Sequence, residues 1–225
     1  MLSFPSIAPP VYSVYSVYKF YMICYYHVMP GYNQTEEKII TNALQLFLAQ
    51  GIKKTTIVDI SLRCGLTRAT VYRYFRDKKY LVRASFLNMV GMLSEAIAYI
   101  DKHRELGTEK SAERIKEVVN SLPHGDMPAR ITELKQLYPD IFAEYQIARF
   151  ASIRDIYRRV FNKAKKDGLI LPSEADWNLV QAILTEATLY VAESPLVISH
   201  GASIGKIYST VLDIMLYGIV GRLKK

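Results

Sequence analysis

"IVDISLRCGLTRATVYRYFR", Ile57 to Arg76, is the stretch that decides how this chain folds. Thr56 followed three residues later by Asp59 is a capping box, and it opens a short helix whose apolar positions keep helical spacing until Gly65 ends it. Thr67 then caps a second short helix that runs to about Phe75. Two helices that cross steeply over a turn of about three to four residues need a small residue where their backbones approach, a glycine at the corner and apolar residues facing inward from both. Ser61 is the small residue, and Gly65 takes a left-handed conformation at no steric cost. Ile57, Ile60, Cys64, Leu66, Val71 and Tyr74 supply the inward positions. The spacing is that of a helix-turn-helix, framed by Ile60, Ser61, Gly65, Leu66 and Val71. Its second helix turns Thr67, Arg68, Ala69, Thr70, Tyr72 and Arg73 outward, a polar and basic face that a purely structural hairpin does not require.

Working outward, Asn33 and Glu36 form another capping signal, and Ile39, Ile40, Ala43, Leu44, Phe47 and Leu48 recur at helical spacing up to Gly51. On the other side Asp77 caps a longer helix from Lys78 to about Arg104, with Leu81, Phe86, Met89, Val90, Leu93 and Ile97 on its apolar face. Breaks at Pro123 to Pro128, Pro139, Gly168 to Pro172 and Pro195 to Gly201 divide the rest into helices near 109–122, 129–138, 140–167, 173–193 and 202–222. No alternating β-branched run marks a sheet, and no internal repeat is evident. The expected fold is all-α: a three-helix DNA-binding head at 33–80 and a larger helical domain at 81–225, preceded by an extension at 1–32.

The charge distribution points the same way. The formal net charge is +8, and residues 33–90 hold ten basic side chains against four acidic ones. The excess therefore sits on the helix-turn-helix segment, the electrostatic footprint of a module that faces a polyanion. Cys24 and Cys64 are the only cysteines and lie far apart, and His27, His103, His124 and His200 are scattered. Neither a disulfide framework nor a metal-ligand spacing is available, and a reducing cytoplasm fits. No nucleophile elbow, P-loop, paired-glycine nucleotide fingerprint or zinc motif suggests an enzyme, and no cofactor is called for.

"GLTRATVYRYFRDKKYL", Gly65 to Leu81, resembles the recognition segment of the tetracycline-repressor (TetR) family of bacterial transcription regulators. Gly65, Thr67, Thr70, Val71, Tyr72, Tyr74, Phe75, Asp77, Lys78 and Leu81 match the family pattern, and Ser61 stands where alanine is commoner. The resemblance is strong over about residues 33–82; beyond that it rests on helix number and length. It implies a regulator whose DNA contacts fall on Thr56, Thr67, Arg68, Ala69, Thr70, Tyr72, Arg73, Tyr74 and Lys78. Physical roles suit these residues. A guanidinium at Arg68 can pair bidentately with guanine, Ala69 allows close approach and contact with a thymine methyl, and the hydroxyls and Lys78 can meet phosphates. Arg73 can read a base, bind phosphate or remain solvated; Tyr72 and Tyr74 also have a reading as packing residues, which for Tyr74, in an inward slot, weighs as much as direct contact.

One short recognition helix reads few base pairs, so such heads act as symmetric pairs on a palindromic operator. The expected partners are double-stranded DNA, a second copy of the chain and an unidentified small-molecule effector. In the family the last two helices join their twins in a four-helix bundle. The matching positions are Trp177, Val180, Ile183, Leu184, Ala187 and Val191, followed by Ile204, Ile207, Tyr208, Val211, Ile214, Met215 and Gly218; the alternative is that both helices merely close the monomer's core. By the same resemblance, Phe86, Met89, Met92, Tyr99, Phe142, Tyr145, Phe150 and Tyr157 would line an apolar effector pocket, although such aromatic stripes also build ordinary core. The expected activity is that of a cytoplasmic repressor released from its operator by the effector. The alternatives are a membrane-associated regulator and a ligand-independent regulator or activator with the same head.

The opening "VYSVYSVYKFYMICYYHV", Val11 to Val28, is a poor membrane helix, since six tyrosines, Ser13, Ser16 and Lys19 interrupt its apolar run. It also lacks the basic start and small-residue cleavage site of a signal peptide. The expectation is that Met29, or as the alternative Met22, opens the native protein and that the tyrosine-rich stretch before it is upstream sequence. If the segment is native, it forms an arm ahead of the DNA-binding head.

Overall fold

The structure, a computed structural model, describes residues 31–122, 125–168, 176–201 and 203–214. The chain divides into two units, residues 1–32 and residues 33–225. Of the first only Gly31 and Tyr32 are described, so the expectations for the tyrosine-rich opening, like those for Met215 and Gly218, lie outside the described residues.

The second unit is all-α, with no strand among its described residues. Its helices are α1 (Gln34–Gln50), α2 (Ile57–Cys64), α3 (Arg68–Tyr74), α4 (Lys78–Lys102), α5 (Thr108–Ser121), α6 (Met127–Leu137), α7 (Pro139–Lys166), α8 (Trp177–Glu193), α9 (Pro195–Ser199) and α10 (Ile204–Asp213). Helix starts are fixed by side chains that satisfy otherwise orphaned amides. Asn33 accepts the amides of Thr35 and Glu36 at 3.0 and 3.1 Å while Glu36 returns a bond to the Asn33 amide. Asp77, Asp126, Asp176 and Ser203 cap α4, α6, α8 and α10 in the same manner. The start of α5 is capped from a distance, because Asp167 beyond the end of α7 accepts both the amide and the hydroxyl of Thr108 at 2.7 Å.

The sequence marks 195–201 as a break, whereas the structure places the short α9 there. Proline at the first position of a helix costs nothing, since its missing N–H would be unpaired in any case. Helix α6 begins at Met127 rather than 129, with Pro128 in its first turn.

Helices α1 to α3 form the head, with Ile39, Ile40, Phe47, Leu48, Ile52, Ile60 and Val71 fully buried. Helix α4 packs on α1 at one end and on α5 and α7 further along, so one rod joins head and body. It is long and apolar enough to cross a membrane, but about half of that stretch is buried within the structure. Leu81, Phe86, Met89, Val90, Leu93 and Ile97 belong to the core. Two ion pairs tie its first turns to α7: Lys79 with Asp140 at 2.8 Å and Arg83 with Glu144 at 2.6 Å. The body closes with α8 on α7 and α10 on α5 and α8.

Candidate nucleic-acid interface

The capping box predicted at Thr56 is present: Asp59 accepts the amide and the hydroxyl of Thr56 at 2.8 Å, and Thr56 accepts the Asp59 amide at 3.2 Å. The Thr56 bonds, backbone first, hold the Asp59 carboxyl below the usual aspartate range. At the corner Gly65 adopts φ 64° and ψ 35°, and the amides of Gly65 and Leu66 donate to Leu62 and Ser61 at 3.0 and 2.9 Å. This left-handed closure satisfies the last carbonyls of α2 and turns the chain sharply into α3. Ser61 is buried at the crossing, and its hydroxyl donates to the Val58 carbonyl at 2.8 Å, so the serine brings no unsatisfied polar group.

Helix α3 is seven residues long and starts at Thr67, whose side chain accepts the Thr70 amide at 3.1 Å and lies 2.9 Å from the Thr70 hydroxyl. Val71 and, at the C-cap, Phe75 anchor it in the core; Leu66 and Tyr74 are half-buried. Thr67, Arg68, Ala69, Tyr72 and Arg73 are exposed, and Thr70 is half-buried. Tyr72 retains 44% of its accessible surface. Arg73 lies over the Tyr74 ring at 5.2 Å, which pre-orders both side chains. Thr56, the N-cap of α2, is also exposed.

Lys78 departs from the picture of an exposed point charge. It is half-buried, and its Nζ donates to the Lys53 carbonyl at 3.3 Å. Burial pushes its pKa down from the usual lysine value, and Glu133 and Asp59 oppose that shift. Arg63, which adds to the basic count of the segment, is turned to α1 and donates to Asn42 and Gln45 at 3.2 and 2.8 Å. Sequence reasoning missed Glu133, which accepts the amides of Ile52 and Lys53 at 2.9 and 2.7 Å and braces the turn ahead of α2. The contact spans about eighty residues of chain, and no local pattern signals it.

The eight aromatic and methionine positions expected around a pocket fall in different surroundings among the described residues. A cavity of about 20 Å³ lies between α4, α5, α7, α8 and α10, lined by Leu93, Val119, Tyr157, Thr188, Tyr208 and neighbouring aliphatic residues. Only Tyr157 of the eight reaches it. Its hydroxyl donates to Thr188 at 2.5 Å, because the Thr188 hydroxyl already donates to the Leu184 carbonyl at 2.7 Å. Burial pushes the Tyr157 pKa up to about 12. Phe86 and Tyr145 pack edge to face in the core with Met89 close by in sequence and also buried, while Phe150 is half-buried. Tyr99 lies on the outside, stacked on His103 and under Arg114, and Phe142 lies under Lys135. Met92 lines a separate open groove of about 530 Å³ between α1, α2, α4 and α5.

On α8, Leu179, Ile183 and Tyr190 keep 56%, 57% and 74% of their surface, and Ile214 at the end of α10 keeps 62%. Of these, sequence reasoning named Ile183 and Ile214. Trp177, Val180, Leu184, Ala187 and Val191 are half-buried, as are Ile204 and Val211, while Ile207 and Tyr208 face the interior of the body. Among the described residues no group of three or more His, Cys, Asp or Glu could hold a metal ion.

A glycine-cornered helix pair with one polar, basic helix face outward defines a helix-turn-helix DNA-binding protein. Residues 39–85 match the model of bacterial regulatory proteins of the tetR family, and over this segment the chain is similar to members of that family. Members are transcription factors rather than enzymes. The chain is 28% identical over 101 residues to the HTH-type transcriptional regulator SrpR of Pseudomonas putida, a match covering 45% of each chain. It is equally similar over 101 residues to the uncharacterized HTH-type regulator TtgW of the same species, covering 45% of this chain and 72% of that one. The matched part thus spans less than half the length of SrpR. The fold is similar to that of the fatty acid degradation regulator FadR from Bacillus halodurans, with a TM-score of 0.58 at 15% identity over 84% of this chain and 98% of the other.

Proposed function

We propose that the chain is a dimeric, cytoplasmic repressor that binds a palindromic operator and leaves it when a small apolar molecule enters the body. The observation that carries this reading is the outward face of α3. Arg68 and Tyr72 are exposed there and make no hydrogen bond or ion pair to any described residue. Their donors are therefore available to base edges and phosphates at no cost in internal contacts. Thr56 and Thr67 are exposed as well, and Thr70, Tyr74 and Lys78 are half-buried, so each keeps part of its surface for contacts with DNA.

A seven-residue helix touches only a few base pairs, so useful specificity requires a second copy held at the spacing of successive major grooves. The apolar surface of Leu179, Ile183, Tyr190 and Ile214 supports dimerisation through α8 and α10, since such residues contribute most when covered. The cavity beside Tyr157, Thr188 and Tyr208 is too small for an effector as it stands. An effector opens it by separating α5, α8 and α10, and it acts by favouring the dimer geometry in which the two recognition helices no longer fit adjacent grooves. Helix α4, paired to α7 through Lys79 and Arg83, carries that change to the head.

Selection of bound fragments from a random duplex pool tests the reading. The full-length chain is expected to enrich an inverted repeat and to lose affinity steeply with salt. Full binding by a Tyr72→Ala, Lys78→Ala double variant would refute the assignment of the interface, and enrichment of a single half-site would refute the dimer.

A further inference from the structure

The turn between α1 and α2 receives a side chain from far along the chain. Each oxygen of the Glu133 carboxylate takes one backbone amide, Ile52 at 2.9 Å and Lys53 at 2.7 Å, and Arg130, one turn back on α6, pairs with it at 2.7 Å. Gly51 makes this closure possible: its φ is +101°, and an added Cβ would lie 2.2 Å from Arg130 Nη1. The turn is also braced from within, because the Thr55 hydroxyl and amide both donate to the Gly51 carbonyl, at 2.7 and 3.2 Å, and Gln50 donates to Thr55 at 3.3 Å. Thr56, the next residue, begins the capping box of α2. From the opposite side Lys78 donates to the Lys53 carbonyl. Lys53 is thus held at its amide by α6 and at its carbonyl by the first residue of α4.

We propose that Glu133 is a positioning residue for DNA recognition: by clasping Ile52 and Lys53 it sets the angle of the helix-turn-helix on the body, and it gives α6 a direct grip on the head alongside α4. The proposal rests on the DNA-binding reading above. A bidentate carboxylate on two successive amides resists both sliding and tilting, and charge-assisted bonds of this kind are stronger than neutral ones. The turn is too short and too internally bonded to absorb a displacement, so any shift of α6 passes to the start of α2 and from there to α3.

Glu133→Ala and Glu133→Gln in the full-length chain test this. Amide exchange is followed across residues 51–76 and across α7. Affinity is measured for a duplex enriched by the wild-type chain and for a scrambled duplex. Glu133→Ala is expected to speed exchange of Ile52, Lys53 and the α2 and α3 amides about tenfold while leaving α7 unchanged. It is expected to weaken the enriched duplex about tenfold with little change on the scrambled one. Glu133→Gln, which keeps one acceptor oxygen, falls between, and it carries the measurement should the alanine variant not fold. A purely structural role predicts instead that exchange rises everywhere, α7 included, and that both duplexes are affected alike; that result overturns the proposal. So does unchanged exchange over 51–76 in a folded variant. Should the wild-type chain enrich no sequence, the DNA-binding reading falls and the recognition role falls with it, while the exchange data still decide whether the clasp holds the turn.

Discussion

Val71 is the only fully buried residue within α3, so its truncation measures how firmly the recognition helix is held. A seven-residue helix has no stability of its own in water, because nucleation costs more than so few hydrogen bonds return. Val71→Ala removes two methyl groups from a site with no exposure, worth about 1.6 kcal/mol at roughly 0.8 kcal/mol per group. The unfilled space adds to that loss, for about 2 to 2.5 kcal/mol in all, and the better helix propensity of alanine returns roughly 0.5 kcal/mol. The net of about 1.5 to 2 kcal/mol corresponds to a ten- to thirtyfold rise in the population in which α3 is detached. Amide exchange over residues 68–75 reads this directly, and exchange in α7 serves as the internal reference. DNA affinity falls in proportion only if the detached form becomes the majority, so exchange is the primary measurement. Unchanged exchange over 68–75 would show that burial of Val71 is not what seats the recognition helix.

Gly65→Ala forces a side chain into the left-handed region and is expected to cost about 1 to 2 kcal/mol, read as a lower denaturation midpoint with an unchanged m-value. Ile183→Glu is expected to turn a dimer into a monomer in sedimentation analysis without loss of helical circular dichroism; a persisting dimer moves the interface away from α8. Arg68→Ala is expected to relax sequence preference more than affinity, whereas an equal loss on every sequence would make Arg68 a phosphate contact. Burial alone would raise the Glu133 pKa, yet the amides of Lys53 and Ile52 together with Arg130 outweigh it and hold the carboxyl below the usual glutamate range. The clasp therefore contributes stability that is complete above the unfolded glutamate pKa of about 4.3 and is lost as pH falls through the lower folded value. Glu133→Gln is expected to flatten the acid limb of the stability curve, and an identical limb in both proteins would contradict this.

What could be read from the sequence is what is encoded locally. Thr56 with Asp59, Asn33 with Glu36, Gly65 and Thr67 each act within four residues, so the head and its outward face follow from spacing alone. Failures begin where the deciding partner is distant. Arg63 counts as one more charge toward a polyanion until α1 places Asn42 and Gln45 beside it. Tyr99 and Phe142 share a helical stripe with true core residues, but periodicity does not distinguish the side that meets a cavity from the side that meets Arg114 or Lys135. Leu179 and Tyr190 look like ordinary helix-face residues and are revealed as exposed only by the packing of α7 and α10 around them.

The division of labour along α3 has an evolutionary consequence. Val71 and Phe75 hold the helix, Thr67 starts it, and Arg68, Ala69, Tyr72 and Arg73 are exposed, Arg73 resting over the Tyr74 ring. Exchanges at such surface positions change stability by about half a kcal/mol or less. If the outward face of α3 reads DNA as proposed, new targets can be sampled by drift at four codons while the scaffold stays constant, and the same separation would let a designer rewrite the target without redesigning the fold.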